Sequence, residues 1–233
     1  SKAWCPSLGE DGETDRLTYH CPMGKFDWFW KAMGSTTERN NKKSKAVVAN
    51  AHGLIDELSL LDDASLAETV RATVRGGAVS DAPRFLAGLS VASQRTLGMT
   101  PFEVQNQAVL RLLEGDVIQM ATGEGKTLVG AMAATGFALQ GKRVHLITVN
   151  DYLAARDAEW MRPLVEFFGL RVAAVTQTST RDERVAAYRA DVVYAPVTEI
   201  GFDHLRDNQI TSREDAVQVP ADVALVDEAD SVL

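Results

Sequence analysis

An α/β fold built on a parallel sheet, with an all-helical region in front of it, is what this sequence predicts, and three observations predict it. From Thr100 onward, short apolar runs alternate with amphipathic helical stretches. A glycine-rich loop, residues 120–127, stands between the first of those runs and a helix. The last run, residues 222–226, stops at two adjacent carboxylates, Asp227 and Glu228. Alternation of this kind, with nearly continuous apolar strands, implies a parallel sheet covered on both faces.

The front of the chain reads as helix. Residues 1–25 are rich in Gly, Pro, Ser and charge without periodicity, and are expected to be a disordered tail. Cys5, His20 and Cys21 lie there without a Cys-x-x-Cys pair, so no metal or redox motif is expected. Phe26, Phe29, Trp30 and Met33 share one helical face, followed by Arg39, Lys42, Lys43 and Lys45. Such a segment either packs on the next helix or lies on an anionic membrane surface. Val47, Val48, Ala51, Ile55 and Leu58 form a stripe. Asp62 or Asp63 can cap a helix carrying Leu66, Val70 and Val74 that stops at Gly76-Gly77, and Asp81 can cap the next, which ends at Gly98. The expected division is a helical region over 26–99 and an α/β domain over 100–233.

The elements of the second region come from local signals. Thr100-Pro101-Phe102-Glu103 reads as a capping box opening a helix that runs to Gly115. Strands are expected at 116–120, 143–149, 171–176, 191–195 and 222–226. Helices lie between them, stopped at Gly141 and Gly169, with a second capping box at Thr180 and Glu183.

Composition narrows the function classes. Hydrophobic residues make up 45 % of the 233 and charged residues 24 %, ordinary for a globular protein. A net charge of −8 disfavours nucleic acid as a partner. No apolar run approaches the ~18 residues of a membrane-spanning helix, and the start lacks a signal-peptide pattern. A cytosolic protein is the expectation.

The chemistry concentrates in two motifs. In "MATGEGKT" Gly123 and Gly125 let the backbone curl so that successive N–H groups point at phosphate oxygens. The helix that opens there adds partial positive charge. Lys126 can reach β- and γ-phosphates, and the Thr127 hydroxyl can ligate Mg²⁺. Gly123, Glu124, Gly125, Lys126 and Thr127 are therefore the candidate nucleotide set. The general pattern has Gly where this chain has Met120, a relaxation common in helicase-type motors. In "ALVDEAD" Asp227 can hold Mg²⁺ through a water, and Glu228 can orient or deprotonate the attacking water. Both motifs should end on one edge of a parallel sheet, where open α/β folds bind ligands.

"MATGEGKT" together with "VDEAD" resembles the superfamily of helicases and SecA. Three further stretches resemble SecA within it: "TVNDYLAARDAEWMRPLVEFFGL", "EIGFDHLRDN" with His204 where Tyr is usual, and "DEADSVL". "PFEVQ" is similar to the SecA element whose glutamine recognises adenine, which assigns Gln105 to that role; its amide offers both a donor and an acceptor. The match is good over about 85–233 and poor before it. The divergent start, with Thr100-Pro101 where many SecA proteins have a basic pair, points to the accessory second SecA of actinobacteria.

The resemblance implies a P-loop, RecA-like helicase motor domain that hydrolyses ATP with Mg²⁺ to drive preproteins through the Sec membrane channel. It places the protein in the cytoplasm, peripherally on the inner face of the cell membrane, with anionic phospholipids as a further contact. It also implies a preprotein-binding domain inserted after the acidic motif and a second motor domain that supplies an arginine. Such an arginine contributes ~10³–10⁵ in rate in other phosphoryl-transfer systems, so this chain alone is expected to bind ATP and scarcely hydrolyse it. Two rival readings are a DEAD-type RNA helicase, disfavoured because "TVNDYLAAR" fills the slot of its Pro-Thr-Arg-Glu-Leu motif, and a non-enzymatic nucleotide-dependent adaptor.

Overall fold

The computed structural model describes residues 36–232. The expected tail, with Cys5, His20 and Cys21, and the aromatic face of Phe26, Phe29, Trp30 and Met33 lie outside the described residues. Two compact units are distinguished, Ser1–Arg39 and Asn40–Leu233, and the sheet with its glycine-rich loop and acidic motif belongs to the second.

The front region comprises α1 (Thr36–His52), α2 (Ile55–Ser59), α3 (Asp63–Ala72), α4 (Ala82–Leu97) and α5 (Glu103–Leu113). Asp62 caps α3, its carboxylate accepting the Ser65 N–H at 2.9 Å and hydroxyl at 2.8 Å. Asp81 caps α4 through the Arg84 N–H at 3.1 Å, and Gly98 at φ +70° closes it. The expectation of an all-helical region needs correction. Gly76 and Gly77, both at positive φ, do not merely stop a helix. They turn a two-residue hairpin, β1 (Val74–Arg75) against β2 (Ala78–Val79), so Val74 belongs to a strand. Two adjacent glycines supply the left-handed pair that a tight hairpin turn needs.

The cap of α5 is also displaced. The helix begins at Glu103 with Phe102 at the N-cap, and Gln105 Oε1 accepts the Phe102 N–H at 2.8 Å. Phe102 has no acceptor to return, so only half of a capping box exists. Thr100 instead donates its hydroxyl to Gln94 at the end of α4.

Four parallel strands, β3 (Val144–Thr148), β4 (Val172–Ala174), β5 (Val192–Pro196) and β6 (Val223–Val226), lie in the order β4-β5-β3-β6. Helices α6 (Lys126–Leu139), α7 (Asp151–Phe167), α8 (Arg181–Ala187), α9 (Val197–Asp207) and α10 (Ala229–Val232) complete the α/β region. One sheet face, with Val144, Leu146, Val192 and Tyr194, packs on Ala134 and Phe137 of α6 and Ala154 and Ala158 of α7. Val193 and Ala195 on the other face pack with Ala187 and Tyr188. The front helices share a core with the far sides of α6 and α7, where Leu66, Val70, Phe85 and Leu89 meet Met132, Met161 and Leu164. These apolar side chains exchange water for close packing, the dominant favourable contribution to folding.

The strand expected at 116–120 does not form. The segment joins no ladder among the described residues, and Val117 is 96 % exposed. Alternation still operates, since Ile118 and Met120 pack on the front-helix core. A strand needs a hydrogen-bonded neighbour as well as a pattern, and this segment has the pattern alone.

Candidate functional site

The two motifs meet through connectivity. A four-residue link, 140–143, joins the end of α6 to the start of β3, so α6 runs back along the sheet and begins at its carboxyl edge. Gly130, one turn into α6, sits with its Cα against Leu146 in the middle of β3; an added Cβ would lie 3.5 Å from that side chain. Lys126 and Thr127 therefore open α6 near the edge where β6 delivers Asp227, and α6 packs directly on β3, β5 and β6.

The loop before Lys126 is exposed and held by its own polar groups. Gly123 and Gly125 sit at φ +86° and +76°, a region that costs other residues ~1–2 kcal/mol. Glu124 Oε2 accepts the Ala121 N–H at 2.7 Å. Gln105 Nε2 donates to the Glu124 carbonyl at 2.8 Å. Gly125 is doubly required, because a Cβ there would lie 2.3 Å from Gln105 Nε2. Met120, standing where the general pattern has Gly, packs on the front-helix core and so anchors the loop from below.

Gln105 is 6 % exposed with both ends of its amide engaged, by the Phe102 N–H and the Glu124 carbonyl. It braces the glycine-rich loop in this structure, and its amide could meet another partner in both roles only by releasing those bonds. The first N–H groups of an α-helix have no partner within the helix, and the loop residues 121–125 that precede α6 are exposed.

At the acidic end, the Asp227 N–H donates to the Ile147 carbonyl at 2.9 Å, extending the β6–β3 ladder by one residue. That bond fixes the half-buried Asp227 at the sheet edge. Glu228 comes next at φ +52°, the one non-glycine residue at positive φ among those described. Its N–H donates to Asp227 Oδ1 at 2.9 Å, and its carbonyl accepts from Ser231 and Val232 to start α10. Strain of this kind costs ~1–3 kcal/mol and gathers at functional sites. Here it turns an exposed carboxylate outward immediately beyond a fixed one.

The donor set suits a hard cation that keeps water and phosphate ligands. The Thr127 hydroxyl and the Asp227 carboxylate are oxygen donors, and no cluster of three or more His, Cys, Asp or Glu side chains that could cage a metal exists among the described residues.

Three groups were not evident from the sequence as parts of the site region. Asp157 on α7 is buried, its Oδ1 accepting from Arg156 Nε at 2.7 Å and ion-paired with Arg156 Nη2 at 2.7 Å. Burial pushes its carboxyl above the usual range despite Arg156, and Asp227 adds to the push. Tyr194 stands buried in the middle of β5; the signal was a hydroxyl inside an otherwise apolar strand. The third is a buried charge network. Arg184 donates to Asp203 at 2.8 Å and to Glu199 at 2.7 Å. Asp203 also accepts from Tyr188 and Arg206. Glu199 and Asp203, four apart in "EIGFDHLRDN", share a helix face, which was the available clue.

Comparison with known proteins agrees with this geometry. The model of the SecA DEAD-like domain matches residues 29–233. "Protein translocase subunit SecA 2" of Corynebacterium glutamicum is 63 % identical over 91 % of this chain, and the chain covers 28 % of that protein. "Protein translocase subunit SecA 3" of Mycolicibacterium vanbaalenii is 52 % identical over 88 % of the chain, which covers 26 % of it. SecA 2 of Mycobacterium leprae is 51 % identical over 88 %, with 27 % of that protein covered. The chain thus spans little more than a quarter of the length of these relatives, and its likeness is to the accessory SecA of actinobacteria. With a glycine-rich loop opening α6 at the sheet edge where β6 ends in Asp-Glu-Ala-Asp, the chain belongs to the SecA DEAD-like domain family.

Proposed function

We propose that this chain is the ATP-binding part of a SecA-type motor that couples ATP hydrolysis to export of preproteins through the Sec channel across the cytoplasmic membrane. The observation that carries the reading is the convergence of the Lys126–Thr127 helix start and the strained Asp227–Glu228 pair at one sheet edge. The SecA 2 and SecA 3 relatives are translocase subunits, which favours this over the helicase and adaptor readings.

In this reading Gly123, Glu124 and Gly125 present backbone N–H groups to the phosphates, and Lys126 neutralises charge on the β- and γ-groups. Thr127, and Asp227 through a water, hold Mg²⁺, whose contribution is to offset negative charge on the phosphate oxygens. Glu228 orients the attacking water and accepts its proton. Gln105 reads adenine after leaving the loop carbonyl it now binds. A motor domain running from residue 100, with region 26–99 before it, would need an arginine from a second motor domain for full rate. Taken alone, the chain binds ATP and hydrolyses it little.

The protein works in the cytoplasm, held peripherally at the inner face of the membrane by the channel and by anionic phospholipids. No helix among the described residues is long and apolar enough to cross a membrane.

Calorimetric titration of Mg·ATP, paired with a steady-state hydrolysis assay, tests the proposal. The expected result is measurable binding that Lys126→Ala abolishes, with negligible turnover. Binding indifferent to Lys126 would remove the phosphate-loop assignment, and brisk Lys126-dependent turnover would mean that the chain needs no second domain.

A further inference from the structure

Tyr194 has the one buried side-chain polar atom without a hydrogen-bond partner among the described residues. An unpaired buried hydroxyl costs ~1–3 kcal/mol, so its retention asks for a reason. The sheet register supplies one. Tyr194 lies opposite Leu146, and Leu146 lies opposite Leu225, so the three form a row on one face. Asp227 is two residues beyond Leu225, on the same side of the pleat and at the carboxyl edge.

Helix α7 covers that face and brings Asp157 over it. The phenol is buried on that face; burial, and then the charges of Asp157 and Asp227, all push its ionisation upward. It stays a neutral donor. Asp157 Oδ1 already accepts the Arg156 Nε–H and is ion-paired with Nη2. A carboxylate has acceptor sites for about four donors, and on Asp227 the Glu228 N–H takes one.

We propose that Tyr194 is a positioning residue for Asp227: when nucleotide and metal occupy the edge, its hydroxyl donates to the Asp227 carboxylate and orients the other oxygen toward the metal's water. This inference rests on the reading of Asp227 as a metal-holding group.

The test is a calorimetric comparison of the full 233-residue chain with Tyr194→Phe, Asp227→Asn and the double variant. Each is titrated with Mg·ATP and with ATP in chelator, and thermal melts report folding. Losing a hydrogen bond to a charged group predicts about tenfold weaker Mg·ATP binding in Tyr194→Phe. Metal-free ATP binding should be unchanged, the melting temperature kept or raised, and no further loss should appear on top of Asp227→Asn. Unchanged Mg·ATP affinity in Tyr194→Phe, equal weakening with and without metal, or losses that add in the double variant would each overturn the inference and leave the nucleotide reading standing. Absence of metal-dependent binding in the unaltered chain, or no effect of Asp227→Asn, would overturn both.

Discussion

The loop at Gly123–Gly125 and the charge network around Arg184 are both polar constructions at the edges of one fold, yet they are held in opposite ways. The loop is exposed, and its side-chain bonds are few: Glu124 to Ala121, Gln105 to Glu124. Arg184 is 6 % exposed, and its guanidinium binds two carboxylates and the carbonyls of Thr176 and Ser179, joining α8, α9 and the segment after β4. The difference teaches where each region can give. The proposed phosphate binding would claim backbone amides, and the loop satisfies itself lightly. The network gives each guanidinium nitrogen of the buried Arg184 a partner, and in such a low-dielectric site loss of one partner strands the others.

The comparison breaks most sharply at Asp203. Its carboxylate accepts from Arg184, Tyr188 and Arg206 while 1 % exposed. Asp203→Ala leaves a buried guanidinium half paired, and losing one partner of such a pair costs about 3–5 kcal/mol. The melting temperature should fall on the order of 10 °C for a chain of this size, while any surviving folded protein keeps its affinity for Mg·ATP. A loss of nucleotide affinity at full stability would mean that the network acts on the nucleotide edge directly.

A pair of glycine substitutions sharpens the contrast at smaller magnitude. A Cβ on Gly88 would lie 2.1 Å from Val70 Cγ2, inside a wholly buried contact between α3 and α4. Neither helix has room to yield, so Gly88→Ala should destabilise by about 1–3 kcal/mol and spare nucleotide binding. At Gly125 the atom met is the end of a flexible glutamine. Gly125→Ala should cost about 1–2 kcal/mol through its positive φ and, unlike Gly88→Ala, weaken Mg·ATP binding as the Gln105 brace is displaced. Urea unfolding and calorimetry on both variants separate the two; equal effects on binding would erase the distinction between core and loop.

Most of the architecture was legible because period and punctuation agree. The apolar runs at 143–149 and 191–195 became β3 and β5, and Asp62, Asp81 and Thr180 cap the helices assigned to them. The failures share a cause: they depend on what lies opposite. Residues 116–120 alternate like a strand but have no ladder partner among the described residues. Thr100 has the right type for a cap, yet Gln94 takes its hydroxyl and Gln105 serves the helix start instead. At the site, the loop and the acidic pair declare themselves by local spacing. Tyr194, Asp157 and the Arg184 network are assembled across strands and helices far apart in sequence, so spacing offers only single clues: a hydroxyl in an apolar strand, the Arg156-Asp157 pair, and Glu199 four residues before Asp203.

The smallest expected effect concerns His145 on β3, against whose ring Tyr188 of the network sits with centroids 5.5 Å apart. Burial lowers the basicity of this imidazole below its ordinary value of 6.5, so the folded state holds it neutral where the unfolded chain begins to bind a proton. The unfolded state therefore carries more protons as the pH falls below about 6.5, and stability declines with it. His52 and His204 are exposed, which leaves His145 as the buried imidazole among the described residues. Urea midpoints taken across about pH 7.5 to 5.5 should fall toward acid, and His145→Gln should flatten that slope while leaving Mg·ATP affinity at the neutral end unchanged. If the variant keeps the full slope, the acid sensitivity belongs to carboxylates elsewhere, and the network side of the sheet is no more pH-dependent than the loop side.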